Sequence, residues 1–288
     1  YKLANTIVHI INCILIYKIT KKKLFVVLYG LNPFILFEAI ANAHNDIYMI
    51  FFILFAIYFI TKKKNIWIAV AFLAMATAVK YLAILLLPFL IIYHVREKDI
   101  KGRIKYCVLA GIEYIAILAL FYSIYVRDFQ VILSVLGQQE KYNRSLFFLL
   151  YYFLKDSNMN IVTTIQAIVF IAFAVFYIYT VIRLLLQKEI HFRGLIRKYH
   201  VILLIFTFIV ITNFNAWYVM WLFPTIFWLR GKSIKMVLNV SYACTIANIM
   251  NFALFSEDES LGIPYVFIMV LVTVLLCFEK KKIAQRKE

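Results

Sequence analysis

The chain has 288 residues, of which 65% are hydrophobic and only 16% charged, with a net charge of +17. That apolar share excludes a disordered chain and an ordinary soluble domain, and it points to a polytopic membrane protein. Basicity of this size would suit nucleic acid in a soluble protein, so its distribution along the chain decides what it means.

The opening run, 3–19, reads as a membrane helix that carries Asn5, His9 and Asn12 on one face. It ends at the basic cluster Lys21–Lys23. The chain starts at Tyr1 rather than Met and shows no signal peptide, so it reads as a truncated single transmembrane domain, 1–288, with sequence missing upstream. Next come apolar segments at 24–42 and 47–61, divided by a His-Asn-Asp stretch and closed by Lys62–Lys64. Glu38, Asn42 and Asn45 share a face of the first, leading straight into His44 and Asp46. An Asp at the centre of a membrane helix costs about 2.5–3.5 kcal/mol on insertion scales, so this cluster lies at a turn or faces a site.

Segments 66–79 and 81–94 divide at Lys80, before a basic cluster at Arg96–Lys105. A 14-residue helix spans only about 21 Å against a hydrocarbon core of about 30 Å, so this pair reads as a short hairpin. Segment 104–126 carries Glu113, either paired across helices or lining a pathway. The stretch 127–160 holds Arg127, Lys141 and Arg144 and reads either as a solvated loop or, from Phe129, Ile132, Leu133 and Leu136 along one face, as a helix lying on the membrane. After segment 161–182 and the basic cluster Arg183–Lys198 come 199–213 and 217–229, a second short pair divided at "NFNAW". Segments 236–253 and 264–278 close the chain, the former with Ser241, Thr245 and Asn248 on one face. The polar stripes on the first and the penultimate segments read as interhelical hydrogen bonding.

With every basic cluster on one side, the number of crossings between successive clusters must be even. That rule yields an all-α transmembrane bundle of about eleven membrane segments. Of the 31 Lys and Arg, 25 fall inside and six (Lys2, Lys80, Arg127, Lys141, Arg144 and Lys155) outside, a positive-inside signal with a cytoplasmic C-terminus. The basicity is thus topological, and nucleic acid is not the partner. The turns at His44–Asp46, Lys80 and Asn213–Trp217 face outward and, because their helices are short, share one depression below the surface.

Within that depression the candidate substrate-binding residues are Glu38, His44, Asn45, Asp46, Lys80, Trp217 and Tyr218. Lys80, Arg127, Lys141 and Arg144 are candidates for a phosphate. Lysine offers three donors on a point charge, although Lys80 would also suit plain snorkelling. Trp217, Tyr218 and Trp221 suit either an interfacial aromatic belt or a sugar or isoprenoid surface. Cys13, Cys107, Cys244 and Cys277 lie in apolar runs, without the spacing of a disulfide framework or zinc site. No glycine-rich phosphate loop, HExxH or Gly-x-Ser-x-Gly occurs.

Three stretches, "LNPFILFEAIANAHNDIYMIFFILFAIYFITKKK", "AMATAVKYLAILLLPFLI" and "NAWYVMWLFP", together resemble integral-membrane glycosyltransferases of the GT-C superfamily. The likeness is greatest to bacterial polyprenol-phosphate-mannose-dependent mannosyltransferases. The matching positions are Asn32, Pro33, His44, Asn45, Asp46, Lys80, Pro88, Trp217, Tyr218, Trp221 and Pro224.

The resemblance implies a GT-C-like fold in the bacterial plasma membrane. It implies transfer of mannose or another hexose from a polyprenyl-phosphate sugar donor to a lipid-linked or cell-envelope glycan or glycolipid acceptor. These enzymes place their catalytic acid in a first outward loop that this chain does not contain. The general base is therefore expected upstream of residue 1, with Asp46 in a supporting role. A divalent metal stays open as cofactor, with Asp46 as a candidate ligand and His44, two residues before it, as a second, although two residues do not specify a metal. A transporter or flippase of a lipid-linked saccharide, or a membrane glycan polymerase or ligase, would share this hydropathy.

Overall fold

The computed structural model describes residues 1–123, 142–154, 159–187 and 189–254, with side chains up to residue 247. Among these residues all regular structure is helical, apart from a single bridge between Asn143 and Asn213. In chain order the helices are α1 (Lys2–Thr20), α2 (Lys23–Gly30), α3 (Pro33–Ala41), α4 (Asp46–Tyr58, running on as a π-helix over Phe59–Lys63), α5 (Ile66–Val79) and α6 (Tyr81–His94). Then follow α7 (Ile100–Ser123), α8 (Leu146–Leu154), α9 (Met159–Leu186), α10 (Phe192–Ile205, with a π-helix over Phe206–Val210), α11 (Ala216–Ile226) and α12 (Gly231–Leu254). The segments expected at 66–79 and 81–94 coincide with α5 and α6.

Local chemistry sets several of these boundaries. Asn32 caps α3: its side-chain oxygen accepts from the amides of Phe34 at 2.9 Å and Ile35 at 3.3 Å, while Pro33 fills the first helical position. Asn65 likewise starts α5, accepting from Ile68 N–H at 3.1 Å. Three helices lose their regular winding where a site will form. The second half of α3 widens into a π-helix over Leu36–Ala41, and both α6 and α11 begin with 3-10 turns, over Tyr81–Leu86 and Ala216–Leu222. Pro88 and Pro224 stand where each of those 3-10 stretches passes into α-helix.

Among the described residues three helices are long and apolar enough to cross a bilayer, namely α1, α7 and α9, and α2 with α3 makes a fourth if the pair, bent by 46°, is one span. That is fewer than the eleven segments expected. The apolar stretches are present as helices, but most are short or broken, and 264–278 lies outside the described residues. Helix α4 is apolar all round and buries Ile47, Met49, Ile50, Ile53, Leu54 and Ile57 at the centre of the core, packed against α1 and α5. Helix α5 packs in turn on α6 and α7, so the α5–α6 pair turns at Lys80.

Two straps hold the periphery. Buried Arg103 of α7 donates to the carbonyls of Leu185 at 2.7 Å and Gln187 at 2.9 Å, tying down the end of α9. At a second place, Asn143 N–H donates to Thr212 O at 3.2 Å and Phe214 N–H to Asn143 O at 2.8 Å. Ser145 Oγ donates to the same Thr212 carbonyl, so residues 142–145 are bound to the segment leading into α11.

Candidate functional site

Three backbone breaks meet in space: the 42–45 turn between α3 and α4, the Lys80 turn between α5 and α6, and the irregular start of α11. The first break folds tightly because Ala43 takes a left-handed φ of 56°, strained for a residue with a Cβ. That reversal lets His44 N–H donate to Glu38 O at 3.0 Å, bringing the imidazole back over the π-turn of α3. From α1, Asn5 Nδ2 donates to Ala39 O at 2.6 Å and to His44 O at 3.2 Å, so the turn is pinned on both sides.

At the centre lies Asp46, the first residue of α4 and wholly buried. Trp221 Nε1–H donates to its Oδ1 at 2.6 Å across 175 positions of sequence, a short, charge-assisted contact. Its Oδ2 faces Lys80 Nζ at 3.6 Å and has no hydrogen bond of its own. The Lys80 side chain keeps 26% of its surface exposed. The ammonium is therefore anchored by a buried charge while its donors can turn to a ligand. An exposed cation balanced by a sealed carboxylate is suited to receive an anion such as a phosphate.

Beside it sits a second polar group. Glu38, also wholly buried, accepts from Asn42 Nδ2 at 3.0 Å on Oε2, and the same oxygen lies 3.4 Å from His44 Nε2. The imidazole stacks on Trp217, with ring centres 4.1 Å apart and planes 24° apart. Burial holds the His44 pKa below the ordinary imidazole range; the Asp46 charge opposes that shift and Lys80 reinforces it. Tyr218 stacks on Trp221 at 4.1 Å, and its hydroxyl accepts from Asn215 Nδ2 at 3.2 Å. Tyr81, next to Lys80, is 56% exposed.

Of the residues singled out in the sequence, Glu38, His44, Asp46, Lys80, Trp217 and Tyr218 are brought together. Asn45 is exposed and precedes α4 without a side-chain cap, so it stands outside the cluster. Arg144 lies on the strapped 142–145 segment; Arg127 and Lys141 lie outside the described residues. Trp221 was read only as part of an aromatic motif, yet it is the direct partner of Asp46. Its place four residues beyond Trp217 was the available signal, but nothing in one sequence pairs it with residue 46.

The polar stripe of α1 does bond between helices. Besides Asn5, His9 Nε2 lies 3.0 Å from Gly30 O and Asn12 Nδ2 donates to Tyr29 OH at 3.0 Å. On α12 Ser241 donates to Leu238 O and Thr245 to Ser241 O, both within their own helix, while the side chain of Asn248 lies outside the described residues. Short hydroxyl side chains satisfy themselves there on the preceding turn.

Asp46 does not suit a metal ion. Its two oxygens face Trp221 and Lys80, and an ammonium 3.6 Å away opposes a second cation. Among the described residues no three His, Cys, Asp or Glu side chains come together.

Residues 15–96 match the family model described as "Alpha-(1->6)-mannopyranosyltransferase, N-terminal domain". That match supports a glycosyltransferase of mannosyltransferase type. It takes in Glu38, His44, Asp46 and Lys80 and stops well short of Trp217 and Trp221. No curated protein and no solved structure matches the chain.

Proposed function

We propose that this chain is a membrane-embedded glycosyltransferase of the GT-C type, transferring mannose or another hexose from a polyprenyl-phosphate donor to a lipid-linked or cell-envelope glycan on the outer face of a bacterial plasma membrane. The observation that carries this reading is the Lys80–Asp46–Trp221 constellation, a part-exposed ammonium fixed beside a buried carboxylate where three helix breaks meet. In the transferred state the lipid phosphate leaves with an added negative charge. Lys80 would stabilise that charge, while Asp46 holds Lys80 in place and Trp221 holds Asp46. The isoprenoid tail would lie along the apolar helix faces.

The α5–α6 pair and α11 are too short to span a bilayer, which supports a turn at Lys80 lying below the membrane surface. With the basic clusters inside, these turns face outward and the C-terminus is cytoplasmic. The eleven-segment topology belongs to this proposal.

The test is transfer of radiolabelled sugar from defined polyprenyl-phosphate donors by the full-length protein in liposomes, with flipping of the donor followed in parallel. Label appearing on an acceptor glycan is the expected result. Flipping of the lipid-sugar without transfer would replace the enzyme with a transporter.

A further inference from the structure

Resting on the proposed transfer reaction, we infer that the isoprenoid chain of the donor lies on a ridge of α6 formed by Tyr81 and Ile84, starting one residue from Lys80.

The ridge is a product of the backbone. Helix α6 opens as a 3-10 helix over Tyr81–Leu86, and Ala83 N–H closes its first turn by donating to Lys80 O at 3.1 Å. With three residues per turn, side chains at i and i+3 stand in line rather than staggered round the helix. Tyr81 and Ile84 are therefore aligned, about 6 Å apart along the axis. Tyr81 is 56% and Ile84 44% exposed, whereas Leu82, Ala83 and Leu86 are buried in the core. Leu87, half-buried, continues the line one turn further on. A neighbouring helix holds this winding. Pro88 has no N–H to offer Leu85 O, and Tyr177 OH of α9 donates to that carbonyl at 3.1 Å instead.

Exposed apolar side chains are ordinary on lipid-facing helices, and α7 and α9 carry many, Ile115 and Ile171 among them. Tyr81 and Ile84 differ in what they continue. The residue before them is Lys80, whose part-exposed ammonium stands 3.6 Å from Asp46. The Tyr81 hydroxyl lies within electrostatic reach of that of Tyr218, so its ring is on the side of α6 that faces the site.

A donor whose phosphate rests at Lys80 carries two substituents of opposite character, a sugar and an isoprenoid chain. The polar flank of Lys80, with His44, Glu38 and Trp217, offers the hydrogen-bonding groups that a hexose needs. The α6 flank offers an apolar edge and one aromatic ring. Bilayer tails are as apolar as an isoprenoid, so the ridge competes with them through close packing rather than through the hydrophobic effect. Its alignment gives an extended chain a straight track that begins at the phosphate and turns the sugar towards Trp217.

The test uses the full-length protein in liposomes and a donor analogue with a diazirine on its first isoprene unit. Donor kinetics are measured on the same preparations. Irradiation should label residues 81–87, and an excess of unlabelled polyprenyl phosphate should suppress that label. Tyr81→Ser and Ile84→Ser should each raise donor KM about 5-fold or more. Both side chains are exposed, so kcat and thermal unfolding should change little. Tyr81→Phe, which keeps the ring, and Ile115→Ser on α7 should leave KM at the wild-type value. In an enzyme that transfers sugar, a label on another helix or an Ile84→Ser variant of wild-type KM overturns the ridge while the transferase reading stands. A label on α6 that excess polyprenyl phosphate fails to suppress is ordinary bilayer contact, and it overturns the ridge as well. Suppressible labelling of α6 without transfer overturns the transferase and keeps the ridge, and the absence of both labelling and transfer overturns both.

Discussion

Two sets of buried polar residues lie close together in this fold and behave differently. On α1, Asn5, His9 and Asn12 each meet a main-chain carbonyl or a tyrosine hydroxyl on a neighbouring helix. Around the three breaks, Asp46, Glu38, His44 and Lys80 meet mostly one another and the two tryptophans, with Lys80 and His44 part-exposed. The first set fastens helices where the alternative is an orphaned polar group. In the second, charges are brought together at a cost in desolvation and left within reach of solvent, a pattern that binding or catalysis explains and packing does not. Perturbing the second set should therefore abolish activity more than stability, and perturbing the first the reverse.

The largest effect is expected at Lys80 and Asp46. Lys80→Ala should reduce sugar transfer by about 100- to 1,000-fold, the usual cost of one transition-state donor. Asp46→Asn keeps the shape and an acceptor for Trp221 but frees Lys80 from its anchor, and a similar loss is expected. Rates near wild type in both variants would remove the phosphate site. Trp221→Phe comes next. It retains the stacking on Tyr218 but deletes the 2.6 Å donor to Asp46, which should cost about 1.5–3 kcal/mol of stability and shift donor KM as well. Thermal unfolding in detergent with parallel kinetics separates the two.

How much of this was legible in the sequence follows from which interactions are local. Apolar runs between basic clusters located α5 and α6 to the residue, because the turn at Lys80 and the cap at Asn65 are written within a few positions. The cluster around Glu38, His44 and Asp46 stood out because charge in an apolar run is costly wherever it falls. Two features were not legible. The Asp46–Trp221 bond spans 175 positions and depends on how α4 and α11 pack, which hydropathy does not encode. The tight fold of 42–45 rests on Ala43 at positive φ, a conformation no alanine announces. The shared face of Glu38, Asn42 and Asn45 was not legible either, because that spacing assumed a helix that ends at Ala41.

A smaller effect is expected at Asn5, which belongs to the fastening set but touches the site. Asn5→Ala orphans Ala39 O and loosens His44 O, at a cost of about 1–3 kcal/mol in stability. Transfer should fall only to the extent that the 42–45 turn loses its shape. An Ala43→Gly variant in the same background should recover part of the stability, since glycine relieves the positive φ there. A collapse of transfer with stability unchanged would move Asn5 into the other set.

The smallest effect, and the sharpest check on the distinction, lies at Asn12 and Tyr29. Both are wholly buried, Asn12 Nδ2 donates to Tyr29 OH at 3.0 Å, and Asn12 Oδ1 is already without a partner. Tyr29→Phe alone leaves the Asn12 amide unpaired and should cost about 1–3 kcal/mol. Combining it with Asn12→Leu removes donor, acceptor and the stranded oxygen together, so the double variant should return to within about 1 kcal/mol of wild type, or exceed it, with transfer unaffected. No such cancellation is available at Lys80 and Asp46, where replacing both partners by apolar side chains should restore stability but never the reaction. That contrast separates a bond kept for packing from one kept for chemistry.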